Sequence, residues 1–159
     1  IDESKGCGTL FEYFKEYKER NKNNLKLILV GKAVMDIPKT GDIISLGFVE
    51  EKEKFAILKN AKALVLASEF ESLSMVVLES LIMGIPVIVN GKCNVLKGHC
   101  FKSNAGLYFE NYFEFEKSVN FLKNNESVYK EMGQNGVKYV EENYDWEIIL
   151  GKIIKLIER

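Results

Sequence analysis

Two glutamates, Glu71 and Glu79, bracket a polar turn and the helix after it, with seven residues between them, within residues 63–89, ALVLASEFESLSMVVLESLIMGIPVIV. An ionised carboxylate accepts hydrogen bonds and donates none, so both favour a polyhydroxyl partner over bare phosphate. The spacing predicts a helix over Ser74–Met83, directly after the turn. A helix start offers free backbone N–H groups and partial positive charge, which suit a phosphate. The amides of Ser72, Leu73, Ser74 and Met75 are therefore candidate donors to a diphosphate. Glu79 lies about five residues into that helix, roughly 7 Å along its axis at 1.5 Å per residue. That offset lets its carboxylate accept from ribose hydroxyls while the helix tip holds phosphate. Glu71 precedes the helix and faces the hydroxyls of an attached sugar. Two glutamates at this spacing are ordinarily solvated surface residues; the strand, turn and helix around them make them candidates.

Those residues need a scaffold, and the sequence supplies one. Residues 8–20 place Leu10, Phe11, Phe14 and Tyr17 on one helical stripe. Strands are predicted at 25–30, 43–46, 63–66, 87–89 and 106–109, each an apolar run. A short amphipathic helix is predicted over 51–60, and a long polar loop over 90–105. Helices are expected at 112–124, 126–133, 134–143 and 146–158, with Trp146 and Tyr144 as packing anchors for the last. Cys93, Cys100 and the single histidine, His99, are read as structural. Strands alternating with helices predict a Rossmann-like, doubly wound parallel sheet with helices on both faces and a helical C-terminal tail. Runs apolar throughout fit strands buried on both faces. Ligands of such sheets bind at the carboxyl ends of the strands, which places the turns 31–42, 47–50, 67–74 and 90–105 there.

At 159 residues the chain makes one ordinary domain, 47% apolar and 28% charged. A net charge of −1 and only two arginines, Arg20 and Arg159, argue against nucleic acid as a partner. Three cysteines without metal spacing, Cys7, Cys93 and Cys100, fit reduced thiols and a cytoplasmic location. No Asp-x-Asp pair is available to hold a divalent metal between phosphates. Gly6-Cys7-Gly8 lacks the third glycine of a dinucleotide fingerprint, and Gly91-Lys92 lacks the glycine spacing of a phosphate loop.

The stretch AKALVLASEFESLSMVVLES, continuing as LIMGIPVIV, resembles the C-terminal, nucleotide-sugar-binding domain of retaining GT-B glycosyltransferases, the glycosyltransferase group 1 family. Gly47-Phe48-Val49-Glu50 is similar to the family's loop before a short helix and the central strand. EMGQNGVKYVEENYDWEIILGKI is similar to its closing helices. The similarity runs over nearly the whole chain. It implies that Glu79 binds the ribose, that Glu71 contacts the transferred sugar, and that Gly47, Phe48 and Val49 lie against the base. It also implies that Lys5, in Asp2-Glu3-Ser4-Lys5-Gly6, stabilises the departing diphosphate; Lys5 and Glu71 are then the catalytic candidates. Neutralising charge on a leaving group is usually a large catalytic contribution. No metal and no cofactor are expected, the donor being a nucleoside-diphosphate sugar, UDP-linked in preference to GDP-linked.

The resemblance further implies that residues 1–159 are one donor-binding domain of a two-domain enzyme. A saccharide or lipid-linked acceptor would bind an N-terminal domain outside this sequence, and the fragment alone would be inactive. The strand expected just before Ile1 is the middle strand of the family's sheet, so a gap in the sheet is anticipated. The 90–105 segment resembles a subgroup of bacterial surface-polysaccharide transferases, which implies peripheral association with the inner face of the membrane. Ala67 stands where the family has proline, Ala33 where glycine is common, and Ser74 where it has the second glycine of the turn. A Cβ at Ser74 limits how closely the backbone approaches a sugar. The alternatives are the epimerase or phosphorylase half of the same fold, and a non-catalytic flavodoxin-like binding module.

Overall fold

The computed structural model describes residues 1–158. A short 3₁₀ turn, Glu3–Lys5, is capped by the Asp2 side chain and leads into α1, Cys7–Arg20. Leu10, Phe11, Phe14 and Tyr17 are all buried, so the predicted stripe is the core face of α1. There follow β1 (Leu27–Leu29), β2 (Ile43–Ser45), α2 (Glu51–Lys59), β3 (Leu64–Leu66), α3 (Met75–Ile82) and β4 (Val87–Asn90). The chain ends with α4 (Asn94–Ser103), β5 (Gly106–Phe109), α5 (Tyr112–Asn124), α6 (Glu126–Tyr144) and α7 (Trp146–Ile157). Glu50 and Glu53 form a capping box that starts α2, and Asn111 caps α5 by accepting from the Glu114 amide.

Every strand pairing is parallel, and the strands form two ladders, β1-β2 and β3-β4-β5. β4 is buried at all four positions and sends its side chains alternately to two cores. Ile88 joins the core built by α1 and α5, whereas Val87 and Val89 join the core built by α3, α4 and α6. No strand pairing joins the two ladders among the described residues. Residues 1–6 span the break at the carboxyl ends of the strands. The Ile1 carbonyl accepts from the Val34 amide at 3.0 Å, beyond β1, and the Ser4 carbonyl accepts from the Ser68 hydroxyl at 3.5 Å, beyond β3.

Three expectations need correction. The segment 90–105 is not a long polar loop: after the turn at residues 91–93 it forms α4, a ten-residue helix. Its polar residues obscured a helical spacing, for Leu96, His99, Cys100 and Ser103 are all buried on one side. Residues 126–144 form one continuous helix rather than two, because Gly133 and Gly136 are contact points rather than breaks. A Cβ on Gly133 would stand 2.5 Å from the Gly84 carbonyl oxygen, so glycine lets α6 lie directly against the end of α3. Trp146 is not an anchor. It is 72% exposed at the start of α7.

Candidate functional site

The site is built around the turn between β3 and α3, residues 67–74. β3 delivers the turn to the carboxyl edge of its ladder, and α3 leaves from Ser74. Ser74 adopts φ 64°, ψ 77°, a left-handed conformation unusual for a residue with a Cβ. Ser72, Leu73 and Met75 are exposed, while Ser74 is buried and its hydroxyl has no hydrogen-bond partner. The family's glycine at this place would carry neither the strain nor the orphan hydroxyl.

Each candidate carboxylate is held by a lysine. Lys5 Nζ donates to Glu71 Oε1 at 2.9 Å, so the 3₁₀ turn and the β3–α3 turn meet through the two residues expected to be catalytic. The Glu71 hydrogen bond raises the Lys5 pKa, partial burial opposes it, and the charges of Glu71 and Asp2 add to the rise. The approach is enforced one residue later. Gly6 has φ 67°, and a Cβ there would fall 2.2 Å from the Ala67 carbonyl oxygen. Ala67 is also fixed from β4, whose Asn90 side chain donates to the same carbonyl at 2.9 Å.

Glu79 accepts from Lys54 Nζ at 2.8 Å. Lys54 lies in the first turns of α2, immediately after Gly47, Phe48 and Val49, so this ion pair ties the loop after β2 to α3. Gly47 takes φ 68° and its carbonyl accepts from the Gly31 amide at 2.7 Å, which joins the loops after β1 and β2. Phe48 is 82% exposed, a free aromatic face beside that loop. The predicted residues thus fall into two groups, Lys5 with Glu71 and Gly47–Val49 with Glu79. The Ser72–Met75 turn connects them along the chain, and no hydrogen bond joins the two ion pairs among the described residues. A cavity of about 650 Å³ opens beside Lys5 toward Tyr13, Glu69, Lys92 and Glu110, and its lining includes neither Glu71 nor Glu79.

Two contributors escaped the sequence. Lys54 is one of five consecutive charges, EEKEK, and nothing in that run distinguishes it. His99, read as structural, is indeed buried, yet its Nε2 lies 2.8 Å from the Leu73 carbonyl oxygen of the site turn. The Leu96–His99–Cys100–Ser103 spacing was the available signal. Among the described residues no group of three or more His, Cys, Asp or Glu is arranged to hold a metal ion, and no helix is long and apolar enough to cross a membrane.

A parallel α/β domain whose β3–α3 turn and helix start lie at the carboxyl edge of its strands presents them where ligands of such sheets bind. Comparison with known proteins is more specific. The profile of the glycosyl transferases group 1 family matches residues 1–139, and the chain belongs to that family. The crystal structure of TarM superposes with a TM-score of 0.82 at 18% identity, over 98% of this chain and 33% of TarM. Sucrose-phosphate synthase from Thermosynechococcus elongatus gives 0.81 at 18% identity, over 99% of this chain and 42% of that protein. The C-terminal domain of the glycosyl transferase group 1 family protein LpcC from Francisella tularensis gives 0.76 at 17% identity, over 92% of this chain and 83% of that domain. The chain therefore spans about a third of TarM and about two fifths of the sucrose-phosphate synthase.

Proposed function

We propose that this domain binds the donor of a retaining glycosyltransferase, a nucleoside-diphosphate sugar with UDP favoured over GDP. The observation that carries the reading is the β3–α3 turn, where a helix start is flanked by Glu71 and Glu79 at the carboxyl edge of a parallel ladder. The Ser72–Met75 amides take the diphosphate, Glu79 the ribose, and Gly47, Phe48 and Val49 the base. Glu71 takes the sugar, with Lys5 beside it to balance charge on the departing diphosphate, so the reading calls for no metal and no cofactor. The Lys5–Glu71 contact supports it, because it brings a cation and a hydroxyl acceptor to one end of the turn.

In the full-length enzyme an N-terminal domain would supply the acceptor site, for a saccharide or lipid-linked acceptor of bacterial polysaccharide or glycoconjugate synthesis. The location is cytoplasmic, peripheral at the inner face of the membrane. The 159-residue chain alone should bind donor and transfer nothing.

Titration of the chain with UDP, followed by amide chemical shifts, tests the reading. Shifts should concentrate at Gly47, Ser74 and Glu79. Glu79→Ala should weaken UDP roughly ten- to hundredfold, as expected for losing hydrogen bonds to a charged acceptor. Unchanged UDP affinity in Glu79→Ala would remove the ribose assignment. Absence of shifts with both UDP and GDP would remove the donor-site reading altogether.

A further inference from the structure

Ser74 holds a left-handed backbone with a side chain attached, and such a conformation persists only where its surroundings over-determine it. The surroundings are a chain of side chains behind the turn, with His99 and Tyr139 buried and Tyr144 half-buried. His99 Nε2 lies 2.8 Å from the Leu73 carbonyl oxygen, and His99 Nδ1 lies 3.0 Å from the Tyr139 hydroxyl. The Tyr139 hydroxyl in turn lies 3.2 Å from that of Tyr144, at the end of α6. A carbonyl only accepts, so Nε2 carries the proton. In the neutral ring Nδ1 then accepts from Tyr139, whose oxygen is left to accept from Tyr144. Every bond in the chain therefore has one sense, from the end of α6 to the turn.

The Leu73 carbonyl and the Ser74 N–H belong to one trans peptide plane and point in opposite directions. Fixing the carbonyl inward on His99 fixes the Ser74 amide outward. We infer that His99 is a positioning residue for diphosphate binding, aiming the Ser74 amide through the Leu73 peptide plane, with Tyr139 and Tyr144 setting its tautomer. This rests on the donor-site reading above. Burial lowers the His99 pKa, so the ring is neutral near pH 7, as the hydrogen-bond sense requires. The charged or titratable groups about it are Tyr139, Tyr144 and Lys102, and Lys102 also disfavours a second proton.

The test compares UDP with uridine on the 159-residue chain by amide-shift titration at pH 7.5, together with hydrogen exchange. His99→Ala should weaken UDP at least tenfold and leave uridine unchanged. Exchange at the Val77 and Leu78 amides, both bonded to the Ser74 carbonyl, should quicken. His99→Gln, which can donate to the same carbonyl, should recover most of the UDP affinity. Equal losses for UDP and uridine, or full UDP affinity in a folded His99→Ala, would overturn the inference. If His99→Ala does not fold, Tyr139→Phe removes only the tautomer-setting hydroxyl and should give the same split at smaller size. If the unaltered chain binds neither UDP nor uridine, the donor-site reading falls; unchanged Val77 and Leu78 exchange in the variant then overturns the positioning role separately.

Discussion

At its start the turn between β3 and α3 is held by backbone pressed on backbone and by a half-exposed ion pair, whereas at its end it is held by buried side chains. Gly6 lies against Ala67, and Lys5 reaches Glu71. At Leu73, near the end of the turn, His99 reaches in from α4, and glycine lets α6 lie against Gly84 at the end of α3. The first arrangement depends on residues 1–6; the second is assembled from three helices and one core. The difference teaches that one short turn is held at its start by residues 1–6 and at its end by side chains of the core behind it. On the donor-site reading the amides assigned to phosphate gain from preorganisation, while the carboxylate assigned to the sugar has only to meet its lysine.

The comparison is broken most severely at Gly6. Gly6→Ala puts a Cβ into the Ala67 carbonyl at a positive φ, so the α1 start must retreat from the turn. The expected cost is roughly 2–5 kcal/mol from overpacking and left-handed strain, read from urea unfolding. Gly98→Ala is the control, since nothing lies within 4 Å of a Cβ there and the site is in α4. It should stabilise by about 0.5–1 kcal/mol. Equal behaviour of the two variants would mean that the close approach at Gly6 does not hold the start of the turn.

At the other end the handle is pH. Burial depresses the His99 pKa below its ordinary 6.5, so the unfolded chain binds the proton more tightly than the folded one. The contribution is fully present above about pH 6.5 and is lost as pH falls from there through the folded value. Thermal melts between pH 7.5 and 5 should show that decline, and His99→Gln should flatten it. An unchanged decline in the variant would assign the acid sensitivity to other groups.

How legible this was depended on periodicity. The apolar runs at 25–30, 63–66 and 87–89 are buried-strand signals, and the stripe from Leu10 to Tyr17 is a helix signal, so the α/β fold followed. The Glu71–Glu79 spacing around a helix start likewise marked the candidate site in one stretch of chain. What the sequence hid is what joins distant segments. Lys54 has no local signature, and the spacing from Leu96 to Ser103 marks His99 as buried without showing that it reaches Leu73, because each contact spans more than twenty residues. α4 was missed because Lys92, Lys97, Ser103 and Asn104 made the segment look solvated, although Asn104 takes the left-handed C-cap common at helix ends.

Ser74 sharpens the contrast more gently. Ser74→Gly removes a buried hydroxyl without a partner and relieves the positive φ, against glycine's greater loss of chain entropy. The balance favours the variant by about 1 kcal/mol, a rise of roughly 2–4 °C in Tm for a domain of this size. A fall in Tm would show that the serine hydroxyl is satisfied and that the end of the turn stores no strain.

The smallest effects separate the two lysines. The Lys5 side chain is 47% exposed and that of Lys54 31%, so solvent screening limits each pair to about 0.2–1 kcal/mol. Lys5→Met and Lys54→Met should therefore melt within a few degrees of the unaltered chain. Their effects on ligand should diverge. On the donor-site reading Lys5 faces diphosphate, so Lys5→Met should weaken UDP and flatten the dependence of its affinity on salt. Lys54 faces a carboxylate assigned to uncharged ribose hydroxyls, and Lys54→Met should leave the salt dependence as it was. If the two variants exchange these behaviours, the phosphates lie over α2 rather than beside residues 1–6, and the two ends of the turn have been assigned to the wrong parts of the donor.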